Sequence, residues 1–340
     1  MLWNTPEVKQ LNCERIRREI QNNPKCTKAM VAKQTELSVA TCNTIFNELL
    51  EAGEIRIADQ EEAAMGRPAL RFEYNEDYRH VLGIRVTVEE KETIYYLIAN
   101  SLGETIKSGK TESKTVDGAK VMKVIEDCIA EDDLIRCVAI GVPGVTSGGV
   151  IENCDIEGLT GEPLEKKIRK QFDVDVTIQN DMDVISYGVY QETFKDKGNL
   201  AAILFPSEGE SYVGAGMIID GKILFGATQF AGELRYIGEA FGITLAEMKK
   251  IRKDKERLLD FASKMAVVLI STIDPKKIVI VSRTMEERDA FKIREACAKV
   301  VTEAHVPEMT VENEVYGSYD YGLVELALNR VFFPLSEPVE

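Results

Sequence analysis

The chain has 340 residues, with 57 acidic against 42 basic side chains and a net charge of −15. That length is enough for two or three compact units with cores of their own, and 44% apolar with 29% charged residues is a globular composition. The acidic balance excludes a chain that coats nucleic acid along its whole surface. A small DNA-reading unit on an acidic body remains compatible with it, because charge acts locally.

Cysteine and histidine usage bears on the compartment and on metal binding. Seven cysteines are scattered without any C-x-x-C pair, which is typical of reduced thiols in the cytoplasm. His80 and His305 belong to no Cys/His cluster, so we expect no metal site. The N-terminal segment lacks the apolar run of a signal peptide, and no stretch of 18 apolar residues occurs. The sequence therefore predicts a cytoplasmic protein without a membrane segment.

The spacing of apolar residues predicts short helices between residues 6 and 50. Pro24 ends the first helix, and Thr27 is the expected N-cap of the second. Ser38 is the expected N-cap of the third, whose apolar residues recur at helical spacing: Cys42, Ile45, Phe46 and Leu49. Extended segments around 55–58 and 70–74 follow, separated by an acidic loop. This order predicts a winged helix-turn-helix domain over residues 1–78.

The pattern changes at Val81, and the rest of the chain predicts an α/β architecture. Short β-branched runs alternate with helical patterns, which is typical of βαβ units. One long helix is expected over residues 245–273, and a final helix near residues 321–332. We therefore expect a second domain over residues 79–340.

In a winged helix-turn-helix domain, the helix after Ser38 would lie in the major groove of DNA. Its apolar stripe leaves outward side chains that can hydrogen-bond to base edges or phosphates: Thr41, Asn43, Thr44 and Asn47. Lys28, and Arg67 in the wing loop, are further candidate DNA contacts. Residues 1–47 contain seven basic and four acidic side chains, a local charge of +3. The alternative is a helical cap used for dimerisation, which the acidic wing loop favours.

Several motifs follow one another along the second domain. They are GVPG at 141–144, IQND at 178–181, GAGMIIDGKILFG at 214–226 and AGEL at 231–234, and a GRP turn at 66–68 precedes them. Together they resemble the ROK family of repressors, open reading frames and sugar kinases, in its transcriptional-regulator branch with xylose- and N-acetylglucosamine-type repressors. The resemblance implies an actin-like, sugar-kinase (ribonuclease H-like) fold of two α/β lobes, used for effector binding and dimerisation.

The resemblance also implies that phosphoryl transfer is lost. Family kinases carry glycine-rich loops whose bare backbone approaches the phosphates of ATP. Here Arg85 replaces the acid of the first loop, Glu210 and Tyr212 interrupt the second, and Ser-Arg-Thr at 282–284 replaces a late glycine pair. The histidine and the cysteines of the family's zinc element are absent as well. We therefore expect no catalysis, no cofactor and no metal.

The sugar-binding side of the family's cleft is better preserved. Asn180 and Asp181 match its Asn-Asp pair, and Glu233 matches a carboxylate that bonds ring hydroxyls. Carboxylates and amides suit this role because each can bond two vicinal hydroxyls. Asn153, in a loop, and Tyr236, by stacking on the sugar, are further candidates. The alternatives are that the Asn-Asp pair caps the next helix, that Glu233 is a surface residue and that Tyr236 packs in the core.

Three functions remain open at this point. The leading hypothesis is a cytoplasmic repressor that binds double-stranded operator DNA as a homodimer or a dimer of dimers. A sugar effector would regulate it through a kinase-like cleft that transfers no phosphate. The alternatives are a ROK-type sugar kinase with an accessory N-terminal domain, and a DNA-binding protein whose second domain only dimerises. The altered phosphate loops disfavour the kinase, because phosphoryl transfer depends on positioning and charge stabilisation.

Overall fold

The computed structural model describes residues 5–60, 69–88, 91–195, 197–205 and 213–334. Its N-terminal unit packs helices on a small antiparallel sheet. In chain order the elements are α1 (Thr5–Asn22), β1 (Cys26–Thr27), α2 (Lys28–Thr35), α3 (Val39–Glu51), β2 (Ile55–Gln60) and β3 (Leu70–Tyr74). The sheet order is β1-β3-β2. This is the predicted winged helix-turn-helix.

Local hydrogen bonds explain where these helices begin and end. The hydroxyls of Thr27 and Ser38 accept hydrogen bonds from the backbone of Met30 and Thr41, so both residues are the predicted N-caps. Gly53 adopts a φ of +75°, the left-handed conformation that turns the chain away from α3. The apolar residues predicted for α3 are all buried: Cys42, Ile45, Phe46 and Leu49.

The second unit begins with a five-stranded mixed sheet of order β10-β7-β4-β5-β6. Its elements are β4 (His80–Val88), β5 (Glu92–Ala99), β6 (Thr105–Ser113), α4 (Gly118–Glu131), β7 (Ile135–Val142), β8 (Gly144–Ser147), β9 (Val150–Cys154), α5 (Leu164–Gln171) and β10 (Asp175–Asn180). Strands β4, β7 and β10 run parallel, whereas β5 and β6 extend the sheet antiparallel. β8 and β9 form a separate hairpin. These elements make the first lobe.

The second lobe is built on another five-stranded sheet, of order β13-β12-β11-β14-β15. Its elements are α6 (Asp181–Val189), β11 (Leu200–Leu204), β12 (Gly214–Ile219), β13 (Lys222–Ile223), α7 (Leu234–Ala240), α8 (Leu245–Lys253), α9 (Lys255–Ile273), β14 (Lys277–Val281), α10 (Glu287–Val301), β15 (Glu308–Glu312) and α11 (Tyr316–Phe332). A π-helical turn over Tyr190–Phe194 continues α6. The α/β expectation is thus confirmed.

The prediction of one long helix over residues 245–273 is wrong, because the helix is broken at Asp254. The carboxylate of Asp254 accepts hydrogen bonds from the backbone of Glu256 and Arg257 at 3.1 and 3.2 Å, so it caps α9 just after α8 has ended. The sequence analysis also missed the edge strand β15. The last helix begins at Tyr316, one turn earlier than expected.

Helices α6 and α11 join the two lobes, and glycines let them touch. A Cβ at Gly188 would lie 1.8 Å from the carbonyl oxygen of Ser318, and one at Gly322 would lie 2.3 Å from that of Val184. α11 also packs on β4 and β7 of the first sheet, while α6 packs on β12 of the second. Within the described ranges, no helix is long and apolar enough to cross a membrane.

The N-terminal unit packs on the end of α11. The ring of Phe332 lies 5.9 Å from that of Tyr74, edge to face, and the guanidinium of Arg18 lies 4.2 Å from the ring centre of Phe333. Gln21 of α1 also donates a hydrogen bond to the carbonyl of Ser101 in the first lobe. The core of the N-terminal unit is therefore continuous with that of the second unit.

Candidate ligand cleft and nucleic-acid interface

A cleft lies where the carboxyl ends of β7 and β10 face the second sheet. Two adjoining compartments of about 70 and 120 Å³ share wall residues: Pro143, Asp155, Asp181 and Leu204. The smaller, beside the β8–β9 hairpin and the loop before α7, is called the hairpin-side compartment. The larger, beside β4, β14 and the start of α11, is called the α11-side compartment. The carboxyl ends of parallel strands are a common ligand-binding position in α/β folds.

Asn180 and Asp181 stand at the junction of β10 and α6. The Asn180 side chain accepts a hydrogen bond from the backbone of Met182 at 2.8 Å and donates one to the carbonyl of Gly144 at 3.0 Å. Asn180 is therefore the N-cap of α6, as the structural alternative predicted. This capping fixes the turn that brings Asp181 to both compartments.

A tight backbone approach brings Glu233 into the hairpin-side compartment. Gly232 has a φ of +92°, and a Cβ there would lie 1.9 Å from the carbonyl oxygen of Ala215. Only glycine allows the loop to pack this closely on β12. Glu233 follows directly, and it is half-buried in the compartment wall rather than on the outer surface.

The same compartment contains Asn153 and two residues that the sequence analysis missed. Asn153 lies in its wall beside the missed Asp155, and the missed Arg235 lies on the Glu233 side. The sequence could have indicated both, because Asp155 follows the predicted Asn153 by two residues and Arg235 follows the predicted Glu233 by two residues. The structure thus brings together four of the five predicted ligand residues: Asn153, Asn180, Asp181 and Glu233.

Tyr236, the fifth predicted ligand residue, is outside the cleft walls. It is exposed and packs against the ring of Phe230, with 5.1 Å between ring centres. The reason is the phase of α7. Leu234 is buried, and a residue two positions later in a helix of 3.6 residues per turn faces the opposite side. In this structure Tyr236 is therefore neither in the wall of the cleft nor in the core.

The carboxylates around this compartment alter each other's protonation. Burial raises the pKa of Glu233, Arg235 opposes the rise, and the charge of Asp155 adds to it. Burial also raises the pKa of Asp183, in the first turn of α6, and the charges of Asp181 and Glu233 raise it further. The compartment is thus rich in carboxyl and amide oxygens that can accept hydrogen bonds. Such a site suits a neutral ligand with hydroxyl donors.

By the family resemblance, Arg85 stands where a sugar kinase has the acid of its first phosphate loop. Its buried guanidinium donates to the carboxylate of Asp320 at 3.1 Å. It lies between the rings of Tyr95 and Tyr316, at 4.0 and 4.3 Å from their centres. Arg283, after β14, donates a hydrogen bond to the Tyr316 hydroxyl. Side chains therefore occupy this edge of the cleft; Glu210 and Tyr212 lie outside the described residues.

The candidate recognition helix α3 presents Asn43 and Thr44 to solvent. The Thr44 hydroxyl donates to the carbonyl of Ala40 at 3.1 Å, and the hydroxyls of Thr41 and Ser38 are hydrogen-bonded to each other at 2.8 Å. Lys28 donates to the side-chain oxygen of Asn47 at 2.9 Å. Asn43 makes no side-chain hydrogen bond within the described ranges, so its amide is available to a base edge. Arg67 lies outside these ranges.

Some basic residues of the N-terminal unit stabilise packing and are not available to DNA. Arg17 pairs with the buried Glu54 at 2.5 and 3.0 Å, and the hydroxyl of Tyr74 donates to the same carboxylate at 2.6 Å. Arg18 lies on Phe333, at the contact with α11. The local charge of +3 counted from the sequence therefore overstates the positive charge that can face a phosphate backbone.

Comparison with known proteins identifies both units. Residues 91–238 match the ROK family, and residues 14–56 match a winged helix-turn-helix DNA-binding domain. A xylose repressor of Caldicellulosiruptor bescii is 26% identical over 245 residues, which are 68% of this chain and 60% of the relative. An N-acetylglucosamine repressor of Escherichia coli O6:H1 is 21% identical over 69% of this chain and 59% of its own length. The chain thus spans about 60% of the length of these curated relatives.

Solved structures show the same fold. A ROK family transcriptional regulator described as a homologue of the Escherichia coli MLC protein has a TM-score of 0.73 at 16% identity, over 96% of this chain and 98% of its own. A ROK hexokinase from Thermus thermophilus has a TM-score of 0.58 at 14% identity, over 74% of this chain and 99% of its own. The two-lobed sugar-kinase-like fold is thereby confirmed. Residues 91–238 are thus a ROK family domain, and residues 14–56 before it are a winged helix-turn-helix DNA-binding domain.

Proposed function

We propose that this protein is a sugar-responsive DNA-binding repressor whose kinase-like cleft binds its ligand without phosphorylating it. One contrast within the cleft carries the proposal. Asp181 and Glu233 face one compartment as hydroxyl acceptors, whereas the buried Arg85 occupies the edge where a kinase must approach phosphates. The repressor names of the relatives support the same function.

The proposal includes an organisation and a location. The DNA-reading domain covers residues 1–78, and the effector and dimerisation domain covers residues 79–340. The protein acts in the cytoplasm as a homodimer or a dimer of dimers on double-stranded operator DNA. A twofold protein presents two recognition helices, so operator half-sites should repeat at about one helical turn or a multiple of it.

Replacing Asn43 and Thr44 together with alanine should weaken specific operator binding roughly ten- to hundredfold. One lost base contact costs about 1–3 kcal/mol, and 1.4 kcal/mol is tenfold in affinity. The operator is first selected from a random duplex pool, and binding is then measured by fluorescence anisotropy. Asn22→Ala, an exposed polar change at the end of α1, is the matched control.

Affinity for a random duplex should change far less in the double variant, because phosphate contacts carry most non-specific binding. A selection that enriches no sequence, or a double variant with the wild-type sequence preference, would reject α3 as the recognition helix.

The kinase alternative predicts sugar-dependent ADP release, and we expect none. The Arg85 side chain lies where the first phosphate loop of a kinase would be. Arg283, which is hydrogen-bonded to the Tyr316 hydroxyl, lies where a kinase would have its late glycine pair. A coupled assay at millimolar ATP with a panel of hexoses, pentoses and amino sugars measures this directly. ADP release above the no-enzyme background would establish the alternative.

A further inference from the structure

A second pocket lies at the end of the first sheet that is opposite the ligand cleft. It is found where the parallel strands β4, β7 and β10 begin, beside the ends of α5 and α11. Its volume is about 370 Å³, which is within the range of small-molecule sites. Three of its wall residues are arginines: Arg79, Arg136 and Arg169. We call it the arginine pocket, and the function proposed above gives it no role.

Arg136 enters this pocket from a bulge at the start of β7. The pairing of β7 with β4 passes from Ile135 to Cys137 and leaves Arg136 without a partner in β4. Bulges change the direction of a side chain and are frequent beside functional sites. One terminal nitrogen of Arg136 donates to the carbonyls of Asp133 and Ile135 at 2.7 and 2.9 Å. The backbone thus holds this guanidinium in place without neutralising its charge.

Two of the three arginines carry a charge that no carboxylate neutralises. Arg169 is paired with Glu165 and Asp175, at 2.8 and 2.9 Å. Arg136 has only its backbone acceptors, and Arg79 makes no side-chain hydrogen bond or ion pair with the residues that the structure describes. In a chain with a net charge of −15, carboxylates are abundant. Two unneutralised guanidinium groups in one pocket wall therefore point to an anion that comes from outside the chain.

One carboxylate of the wall, that of Asp173, limits the charge of such an anion. Asp173 is exposed, and among the described residues it forms no ion pair with Arg79 or Arg136. It lowers the positive potential of the pocket without cancelling the two guanidinium charges. Two positive charges against one negative charge favour an occupant that has a single anionic group.

The arginine pocket adjoins the contact between the two domains. Val331, in its wall, belongs to the last turn of α11, and the next residue, Phe332, packs on Tyr74 of the DNA-reading domain. The backbone of Arg79 donates a hydrogen bond to the Ser101 hydroxyl at 3.0 Å and accepts one from it at 2.7 Å. β7 has eight residues, and at about 3.3 Å per residue the pocket lies roughly 25 Å from the ligand cleft. The two sites are therefore separate.

We propose that the arginine pocket is a second ligand site, separate from the sugar cleft, for a small molecule with one carboxylate or phosphate group. Arg79 and Arg136 donate hydrogen bonds to the oxygens of that group, because the planar guanidinium matches the geometry of carboxylates and phosphates. Arg169 stays paired with its own carboxylates and forms part of the wall. This proposal goes beyond the proposed function, and a failure of sugar or operator binding would leave it standing.

Isothermal titration of the full chain with inorganic phosphate, gluconate and glucose 6-phosphate tests the proposal, at constant ionic strength because exposed charges are screened by salt. At least one probe should bind at one site per chain. Arg79→Gln and Arg136→Gln should each weaken it about tenfold, since each removes a charged donor. Asp173→Asn should strengthen it roughly two- to fivefold, because it removes the opposing charge. Arg288→Gln, which changes an exposed arginine of α10, is the control.

Four outcomes would overturn the proposal. The first is that none of the three probes binds. The second is binding that both arginine variants retain, or that Asp181→Ala abolishes, because the anion would then lie in the ligand cleft or elsewhere. The third is weaker binding in Asp173→Asn, since a misfolded pocket could lose affinity but only a charge effect can increase it. The fourth is a loss of affinity for a random duplex in the arginine variants without any binding of the probes, which would assign these arginines to the phosphates of DNA.

Discussion

Replacing Glu54 with alanine should lower the free energy of unfolding of the N-terminal domain by about 3–5 kcal/mol, the usual cost of leaving a buried charge without its partner. The Glu54 carboxylate is 2% exposed and receives two hydrogen bonds from Arg17 and one from Tyr74. It therefore ties α1 to the wing strand β3. Without it, the guanidinium of Arg17, 20% exposed, would remain mostly buried and unneutralised.

Hydrogen exchange followed by mass spectrometry measures this effect separately for each domain. Protection should fall in α1 and β3 and stay unchanged in β7 and β14. Glu48→Ala is the matched control, because its pairing with Lys9 at 2.7 Å is between exposed side chains, and such pairs contribute about 0–1 kcal/mol. The double change Arg17→Met with Glu54→Leu should recover part of the loss, since it leaves no buried charge. Equal protection in the Glu54 and Glu48 variants would contradict the assignment.

Asp181→Ala should weaken sugar binding roughly ten- to hundredfold. The alanine removes a hydroxyl acceptor from the junction of the two compartments, and a ligand group buried without its partner costs about 1–3 kcal/mol, at 1.4 kcal/mol per tenfold. The sugar is first identified by its effect on the melting temperature, since a ligand of the folded state raises it. Titration calorimetry then gives the affinity of each variant.

Two controls separate a binding defect from a folding defect. Asp173→Ala removes an exposed carboxylate just before β10 and should leave sugar affinity intact. Operator affinity measured without sugar should be unchanged in Asp181→Ala, because α3 lies in the other domain. If Asp181→Ala binds the sugar with wild-type affinity, Asp181 is not a ligand-binding residue. A melting temperature that no sugar raises would favour the alternative in which the second domain only dimerises.

Local signals in the sequence were sufficient for much of the N-terminal domain. The N-caps at Thr27 and Ser38 and the helical spacing of apolar residues in α3 depend on a few neighbouring residues, so the sequence could show them. The break at Asp254 was missed because apolar periodicity continues across it, although aspartate is a favoured N-cap. The edge strand β15 was missed because only two of its five residues, Met309 and Val311, are apolar, so its alternation did not stand out.

The candidate site was less accessible to prediction, because its parts come from distant segments. Arg85 and Asp320 are 235 residues apart in the chain, so no local pattern announces their ion pair. Asn180, Asp181 and Glu233 were found through the family resemblance rather than from spacing. The position of Tyr236 could not be predicted, because the direction of a side chain at a helix start depends on the exact residue at which the helix begins. The structure places that start at Leu234.

α11 runs as one continuous helix from the ligand cleft to the DNA-reading domain. A helix of this kind can act as a lever that carries a movement at one end to the other. Its first turns carry Tyr316 and Tyr319 in the cleft wall, and its far end carries Phe332, on which Tyr74 rests. Seventeen residues at 1.5 Å each give a lever of about 25 Å, so a tilt of about 5° moves its far end by about 2 Å. If ligand binding changes operator affinity through this lever, thermodynamic linkage requires the operator to change ligand affinity by the same factor. Operator DNA would then change the affinity of the cleft for sugar, just as the sugar changes the affinity of the DNA-reading helix for the operator.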